Sequence, residues 1–313
     1  MCYHEHAGRT APRHHRHREA PPMKIAVDEW CYHNAMMIGR MNIVDLITRC
    51  GELGVDGVGF DYFMLPSEHK KDPEQIKELL ESNNLELVFG FRMPFALPEF
   101  TFKLMENKKD EMFDLAHDFN CKVVRVIGGI VLPNPVHKPF HMTVSRRQEI
   151  KTVAKNLKSF VEDASLEGLT VALENHTDYK TDEMLEILDL VDNEALKITL
   201  DTGNAMFVKE DPVETVEMLA PFAAYTHIKD MKHTGPLLMS VPLGQGEVDI
   251  PAMVRALKES GYEGLYSIEV DLPLWKVDEE DTSLQESIEF LLNLDKSTER
   301  EAATAAAADE DDD

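Results

Sequence analysis

The chain has 313 residues, 43% hydrophobic and 29% charged, a balance ordinary for a globular enzyme. No apolar run approaches the ~20 residues that cross a bilayer. Fifty-eight Asp and Glu against 32 Lys and Arg give a formal net charge of -26, which argues against a nucleic-acid partner, because such binders concentrate Lys and Arg to displace counterions.

Met1 to Pro22 hold His4, His6, His14, His15 and His17 among several arginines and few apolar residues. The stretch lacks the apolar segment of a secretory signal and reads as a disordered leader at 1–22, with metal sequestration by its histidines as the alternative. Met23 opens the first strand pattern. The cysteines, Cys2, Cys31, Cys50 and Cys121, include no C-x-x-C pair, so neither a zinc knuckle nor a redox motif is present. Reduced, mostly buried thiols and a cytoplasmic location are the expectation.

From Lys24 onward, short β-branched runs alternate with longer amphipathic ones, the pattern of a parallel sheet wrapped by helices. Strands are predicted from Lys24, Gly57, Leu85, Lys122, Leu169, Leu196, Ala223 and Gly264. Helices are predicted at Asn42–Leu53, Asp72–Ser82, Phe100–Phe119, Val144–Glu167, Thr181–Val191, Pro212–Leu219, Ile250–Ser260 and Thr282–Leu294. Gly54, Gly168 and Gly261 follow three of these helices, where glycine tolerates the φ > 0 of a C-terminal cap. The phrase from Glu52 to Val58 resembles that from Glu259 to Leu265, as in an internal βα repeat. Eight βα units fit one (β/α)₈ TIM barrel over 23–295, with an acidic, disordered tail at 296–313. The rival doubly wound sheet normally has G-x-G-x-x-G after its first strand; here that strand ends in Asp28-Glu29-Trp30-Cys31. The loop from Gly128 to Thr143 holds Pro133, Pro135, Pro139, His137 and His141 and is either a substrate-selecting lid or a passive excursion.

Barrel enzymes place their chemistry where strands end. The last four strands end in Glu174, Asp201, His227 and Glu269. Alternation puts all four on the side opposite the aliphatic residues, such as Val171, Leu173, Ile198, Leu200, Ile228 and Ile268, and so aims them at the barrel axis. Three carboxylates at one mouth repel one another and resist desolvation, and a divalent cation removes that cost. Three oxygens and one imidazole nitrogen suit Mn²⁺ or Mg²⁺, with Co²⁺ or Zn²⁺ as further choices.

The segments Leu173-Glu174-Asn175, Asp201-Thr202-Gly203-Asn204, His227-Ile228-Lys229-Asp230, Gly244-Gln245-Gly246-Glu247-Val248-Asp249 and Ile268-Glu269 resemble the xylose isomerase-like barrel superfamily. That group includes sugar isomerases and epimerases, inosose dehydratases, hydroxypyruvate isomerase and the endonuclease IV branch. The resemblance implies that Glu174, Asp201, His227 and Glu269 hold one metal, often Mn²⁺, and that Glu174 and Glu269 exchange protons beside a substrate carbonyl through an enediolate. The implied activity is a sugar isomerase or epimerase acting on a small carbohydrate or keto-polyol. The runner-up is a lyase of the same group, inosose dehydratase-like or C-glycoside deglycosidase-like, and a third reading is a sugar-binding barrel that kept its metal. Relatives are often oligomers, so a homo-oligomer is a further expectation.

Many relatives carry His where this chain has Asn204, and endonuclease IV has D-x-H where Ser240-Val241-Pro242 stands, which counts against DNA repair. Further substrate-binding candidates are His176, Asn204, Lys229, His233 and Arg125; for Arg125 the alternative is a buried partner for a carboxylate. Trp30, Phe60 and Phe91 either wall a sugar ring or simply pack.

Overall fold

The computed structural model describes residues 22–128 and 145–310. The histidines of the leader and all but the first residue of the loop from Gly128 to Thr143 lie outside the described residues.

Eight strands run parallel: β1 (Lys24–Asp28), β2 (Gly57–Asp61), β3 (Glu86–Phe91), β4 (Val123–Ile127), β5 (Thr170–Glu174), β6 (Leu196–Asp201), β7 (Ala223–Ile228) and β10 (Leu265–Ile268). They close in the order β1-β10-β7-β6-β5-β4-β3-β2, with helices between them, as a (β/α)₈ barrel. Between β7 and β10 the chain adds β8 (Asp230–Thr234) and β9 (Leu237–Val241), paired antiparallel with Asp230 opposite Val241 and Thr234 opposite Leu237. Gly235 takes φ 62° in the two-residue turn between them, the conformation a tight hairpin demands at its first turn residue. This hairpin is absent from the expected strands: its polar first strand follows β7 with no apolar period of its own.

Alternation divides the strand side chains between two cores. Outward, Phe60, Phe89, Phe91, Val126, Leu173, Ile198 and Ile228 are buried against the helices. Phe60 and Phe91 meet Phe89 edge-on at 5.5 and 5.1 Å, so these two rings pack and do not wall a sugar site. Each such buried side chain contributes roughly 1.5–3 kcal/mol. Inward, Ala26, Val88, Ala172, Tyr225 and Leu265 fill the barrel below its mouth. Two inward strand positions, Gly59 and Gly90, must stay without a side chain. A Cβ would lie 2.5 Å from Tyr225 Oη at Gly59, and 1.7 Å from Asp61 Oδ1 at Gly90.

Helix ends follow local chemistry. Asn42 caps Ile43–Leu53 by accepting from Val44 and Asp45, with Asp45 closing the capping box, a device worth about 1 kcal/mol. Gly54 ends that helix at φ 67°. The helix expected over Phe100–Phe119 divides into Glu99–Met105 and Lys109–Asp118 around a 3₁₀ turn at Glu106–Lys108, because the run from Glu106 to Lys109 offers no apolar side chain to hold a continuous helical face. The last helix runs from Glu280 to Glu310, well past the boundary expected at 295; Ala302, Ala303 and Ala305 to Ala308 are the best helix formers available. Among the described residues, Cys31, Cys50 and Cys121 are free and buried, and no helix is long and apolar enough to cross a membrane.

Candidate metal centre

Four strands bring one side chain each to the C-terminal mouth of the barrel. Glu174 ends β5, Asp201 ends β6, His227 stands one residue before the end of β7, and Glu269 directly follows β10. Asp201 and His227 are register partners across β6 and β7. All four are buried, and each offers a ligand atom such that these atoms lie within 4.8 Å of one another. His227 Nδ1 is 2.7 Å from Glu269 Oε2, 3.6 Å from Glu174 Oε1 and 3.9 Å from Asp201 Oδ2. Both His227 Nδ1 and Asp201 Oδ2 are buried without a hydrogen-bond partner, a costly condition for polar atoms that a divalent cation at their common focus would relieve. The residues therefore fit such an ion.

The remaining oxygens are tied down. Arg125 Nη1 donates to Glu174 Oε2 at 2.8 Å, and Lys229 Nζ donates to Glu269 Oε1 at 2.5 Å. Asp201 Oδ1 accepts from the amides of Gly203 and Asn204 at 2.8 and 2.9 Å. Asn175 holds the Asp201 backbone from both sides, accepting from its N–H at 2.6 Å and donating to its carbonyl at 3.0 Å. Each acid thus keeps one oxygen for the centre and gives the other to the protein.

The titration behaviour reports the same demand for positive charge. Burial pushes the Asp201 carboxyl up to about 7, and Glu269 and Glu174 add to the push. Burial would also lift Glu269, but Lys229 and His227 outweigh it and hold that carboxyl well below the usual range. Glu174 is held low in the same way, against burial, by His227 and Arg125. His227 moves well above its ordinary value, because Glu269, Asp28 and Glu174 overcome the desolvation that would lower it.

A second charged group lies on the other side of the mouth. Arg125 Nη2 donates to Asp61 Oδ1 at 2.5 Å, and Arg92 Nε donates to Asp61 Oδ2 at 2.6 Å. Glu29 accepts from the Asp61 amide at 3.1 Å, and burial, then Asp61 and Asp28, raise its carboxyl well above the usual range. Asp28 ends β1, fully buried, with Oδ2 at 3.2 Å from His227 Nε2. Asp28 and Asp61 escaped the sequence reading, although each ends an apolar strand on the inward parity, as the four ligand candidates do.

The other sequence candidates take varied places. Arg125 is buried, its guanidinium committed to Asp61 and Glu174. Lys229 is buried against Glu269 and lines a cleft of about 260 Å³ with His33, Phe207, Leu238, Ser240 and Asp271. Asn204 supports Asp201 through its backbone, and its side chain lines a small enclosed space with Asn175, His176 and Tyr179. His176 is partly buried, its Nδ1 3.3 Å from Thr177 Oγ1 and 3.8 Å from Asp178 Oδ1; burial works to lower its pKa, but Asp178 and Glu174 raise it. His233 sits exposed on the hairpin, paired with Glu247 at 2.7 Å, and does not line the cleft. The glycine-rich segment serves the fold: Asp230 accepts from the amides of Gly244, Gly246 and Val248 at 2.9, 2.8 and 3.2 Å.

The family described as a xylose isomerase-like TIM barrel matches residues 47–294. An inosose dehydratase from Bacillus thuringiensis is 23% identical over 263 residues, covering 75% of this chain and 83% of that protein. Among solved structures, the IOLI protein with a bound zinc atom superposes with TM-score 0.72 at 18% identity, over 88% of this chain and 99% of that one. D-psicose 3-epimerase with D-tagatose, from Clostridium cellulolyticum H10, superposes with TM-score 0.72 at 13% identity, over 87% and 99%. At such identities the two superpositions speak for the fold alone.

Proposed function

Because the chain belongs to the xylose isomerase-like TIM barrel family, we propose that it is a divalent-metal-dependent sugar isomerase or epimerase, moving a proton at the carbon beside a carbonyl in a small carbohydrate or keto-polyol. One observation carries this reading: two glutamates from opposite sides of the cluster each give one oxygen to a buried cation, Arg125 or Lys229, and turn the other toward His227.

Glu174, Asp201, His227 and Glu269 would hold the ion, and three oxygens with one nitrogen favour Mn²⁺, with Mg²⁺, Co²⁺ or Zn²⁺ as alternatives. When bound, it supplies Lewis acidity to the substrate carbonyl and its neighbouring hydroxyl. Glu174 is the base: its partner Arg125 never gives up a proton, so the carboxylate stays ionised and ready to accept one from carbon. Glu269 serves the other side, passing on a proton that it takes from solvent while Glu174 releases its own there, and Lys229 Nζ holds the outer oxygen of Glu269 in place. The cleft beside Lys229 takes the rest of the substrate.

A dehydratase is the second reading, and the inosose dehydratase relatives favour it. It begins with the same proton abstraction and then expels water. Incubation of Mn²⁺-loaded protein in D₂O with a panel of ketoses and inososes separates the two. Deuterium uptake without loss of water is the expected result, and loss of water identifies the dehydratase. Absence of solvent exchange on every substrate would overturn both.

A further inference from the structure

Outside the four ligand candidates, one buried carboxylate faces the centre from behind. Asp28 stands at the end of β1, inward-facing and fully buried. Its Oδ1 accepts from the Trp30 amide at 3.1 Å and so caps the 3₁₀ turn Glu29–Tyr32. That bond fixes the side chain and leaves Oδ2 aimed across the barrel, 3.2 Å from His227 Nε2. Oδ2 and Nε2 are both buried without a hydrogen-bond partner, and each is the other's ion-pair contact. Gly59 keeps the space open, since a Cβ there would lie 2.8 Å from Asp28 Oδ2.

An imidazole has two nitrogens, and when neutral it carries its proton on one of them. His227 turns Nδ1 to the three ligand carboxylates and Nε2 to Asp28. We propose that Asp28 is the positioning residue of the metal centre: it holds the His227 proton on Nε2, so that Nδ1 presents its lone pair to the ion. A carboxylate behind a ligand histidine fixes ring orientation, selects the tautomer and strengthens the donor nitrogen, and its loss typically weakens metal affinity about 10–100-fold. Asp28 is not one of the four ligand candidates and would act through His227. The capping bond alone gives it a structural role, but a cap has no bearing on which imidazole nitrogen is protonated.

The inference rests on the metal reading above. Mn²⁺ affinity is measured by calorimetry for the full chain, for Asp28→Ala and for Asp28→Asn. Asp28→Ala binds about 10–100-fold more weakly, and Asp28→Asn recovers most of the loss, because an amide oxygen still accepts from Nε2. In parallel, ¹⁵N spectra of the histidine side chains in the Zn²⁺-loaded wild-type protein report the tautomer without any substitution. A proton on Nε2 of His227 with Nδ1 on the metal is the expected pattern. A proton on Nδ1, or wild-type affinity in Asp28→Ala, overturns the role of Asp28 and leaves the metal reading standing. Wild-type protein that retains no ion removes both.

Discussion

The two halves of the barrel mouth solve the same problem differently. At the ends of β2 to β4, the acid is matched by arginines: Asp61 is held by Arg92 and Arg125, and Arg125 also reaches over to Glu174. At the ends of β5 to β7 and β10, Glu174, Asp201 and Glu269 surround one imidazole, with Lys229 as the local amine. One half is closed by ion pairs within the protein. The other leaves Asp201 Oδ2 and His227 Nδ1 unsatisfied in a buried place. Burying charge without partners costs several kcal/mol, a cost that a divalent cation at their common focus would relieve.

Experiments can break or sharpen that contrast. The largest effect belongs to Glu269→Gln, which removes an acid–base group: with Mn²⁺ saturating, exchange of substrate protons with D₂O falls about 10²–10⁴-fold, read by mass spectrometry or NMR. Next comes Arg125→Met, which strips the charge partner from both halves at once. Glu174 loses its arginine and Asp61 keeps only Arg92, and denaturant unfolding of the metal-free protein records a loss of about 3–5 kcal/mol. Arg92→Met costs less, because its side chain is 32% exposed and water can replace it at Asp61.

Filling the deficit from outside has a smaller but measurable value. Mn²⁺ at a hundredfold excess over its Kd stabilises the chain by about 2.7 kcal/mol, seen as a rise in Tm that a chelator reverses; equal melting with and without the ion would undo the contrast. Acid acts on the same half. The Asp201 carboxyl is raised from 3.8 to about 7 without a cation, so its neutral form contributes stability that is complete below pH 3.8 and is lost as pH climbs through about 7. A cation needs the carboxylate, so Mn²⁺ affinity falls as pH drops below about 7, at most about tenfold per unit for one competing proton. Calorimetry in two buffers of different ionisation heat detects that proton. The smallest effect is His233→Ala, which leaves proton exchange unchanged, since this side chain pairs with Glu247 on the exposed hairpin.

The closed half was the harder one to read from the chain. Strand alternation exposed Glu174, Asp201, His227 and Glu269 because each interrupts an aliphatic run on a fixed parity, and that signal survives without coordinates. The same signal was present at Asp28 beside Ala26 and at Asp61 beside Gly59. What it cannot convey is pairing across the barrel: Arg125 lies between Asp61 and Glu174 only because β2, β3, β4 and β5 are neighbours and Gly90 leaves the space. The hairpin after β7 was missed for another reason. Its first strand alternates weakly, with Lys232, His233 and Thr234 all exposed, so no apolar period distinguishes it from a loop. The separation of the helix expected over Phe100–Phe119 is a matter of local phase, which periodicity averages away.

Asp230 joins pieces of chain that the sequence spells as separate phrases. Its carboxylate gathers three amides from the turn at Gly244–Val248, and a side chain at Gly246 would meet Asp230 Oδ1 at 2.0 Å. The base of the hairpin and the turn that returns the chain to the barrel are thereby stapled at one point. Beyond that staple Lys232 to Leu237 are exposed at the hairpin tip, where a change of side chain disturbs the barrel least.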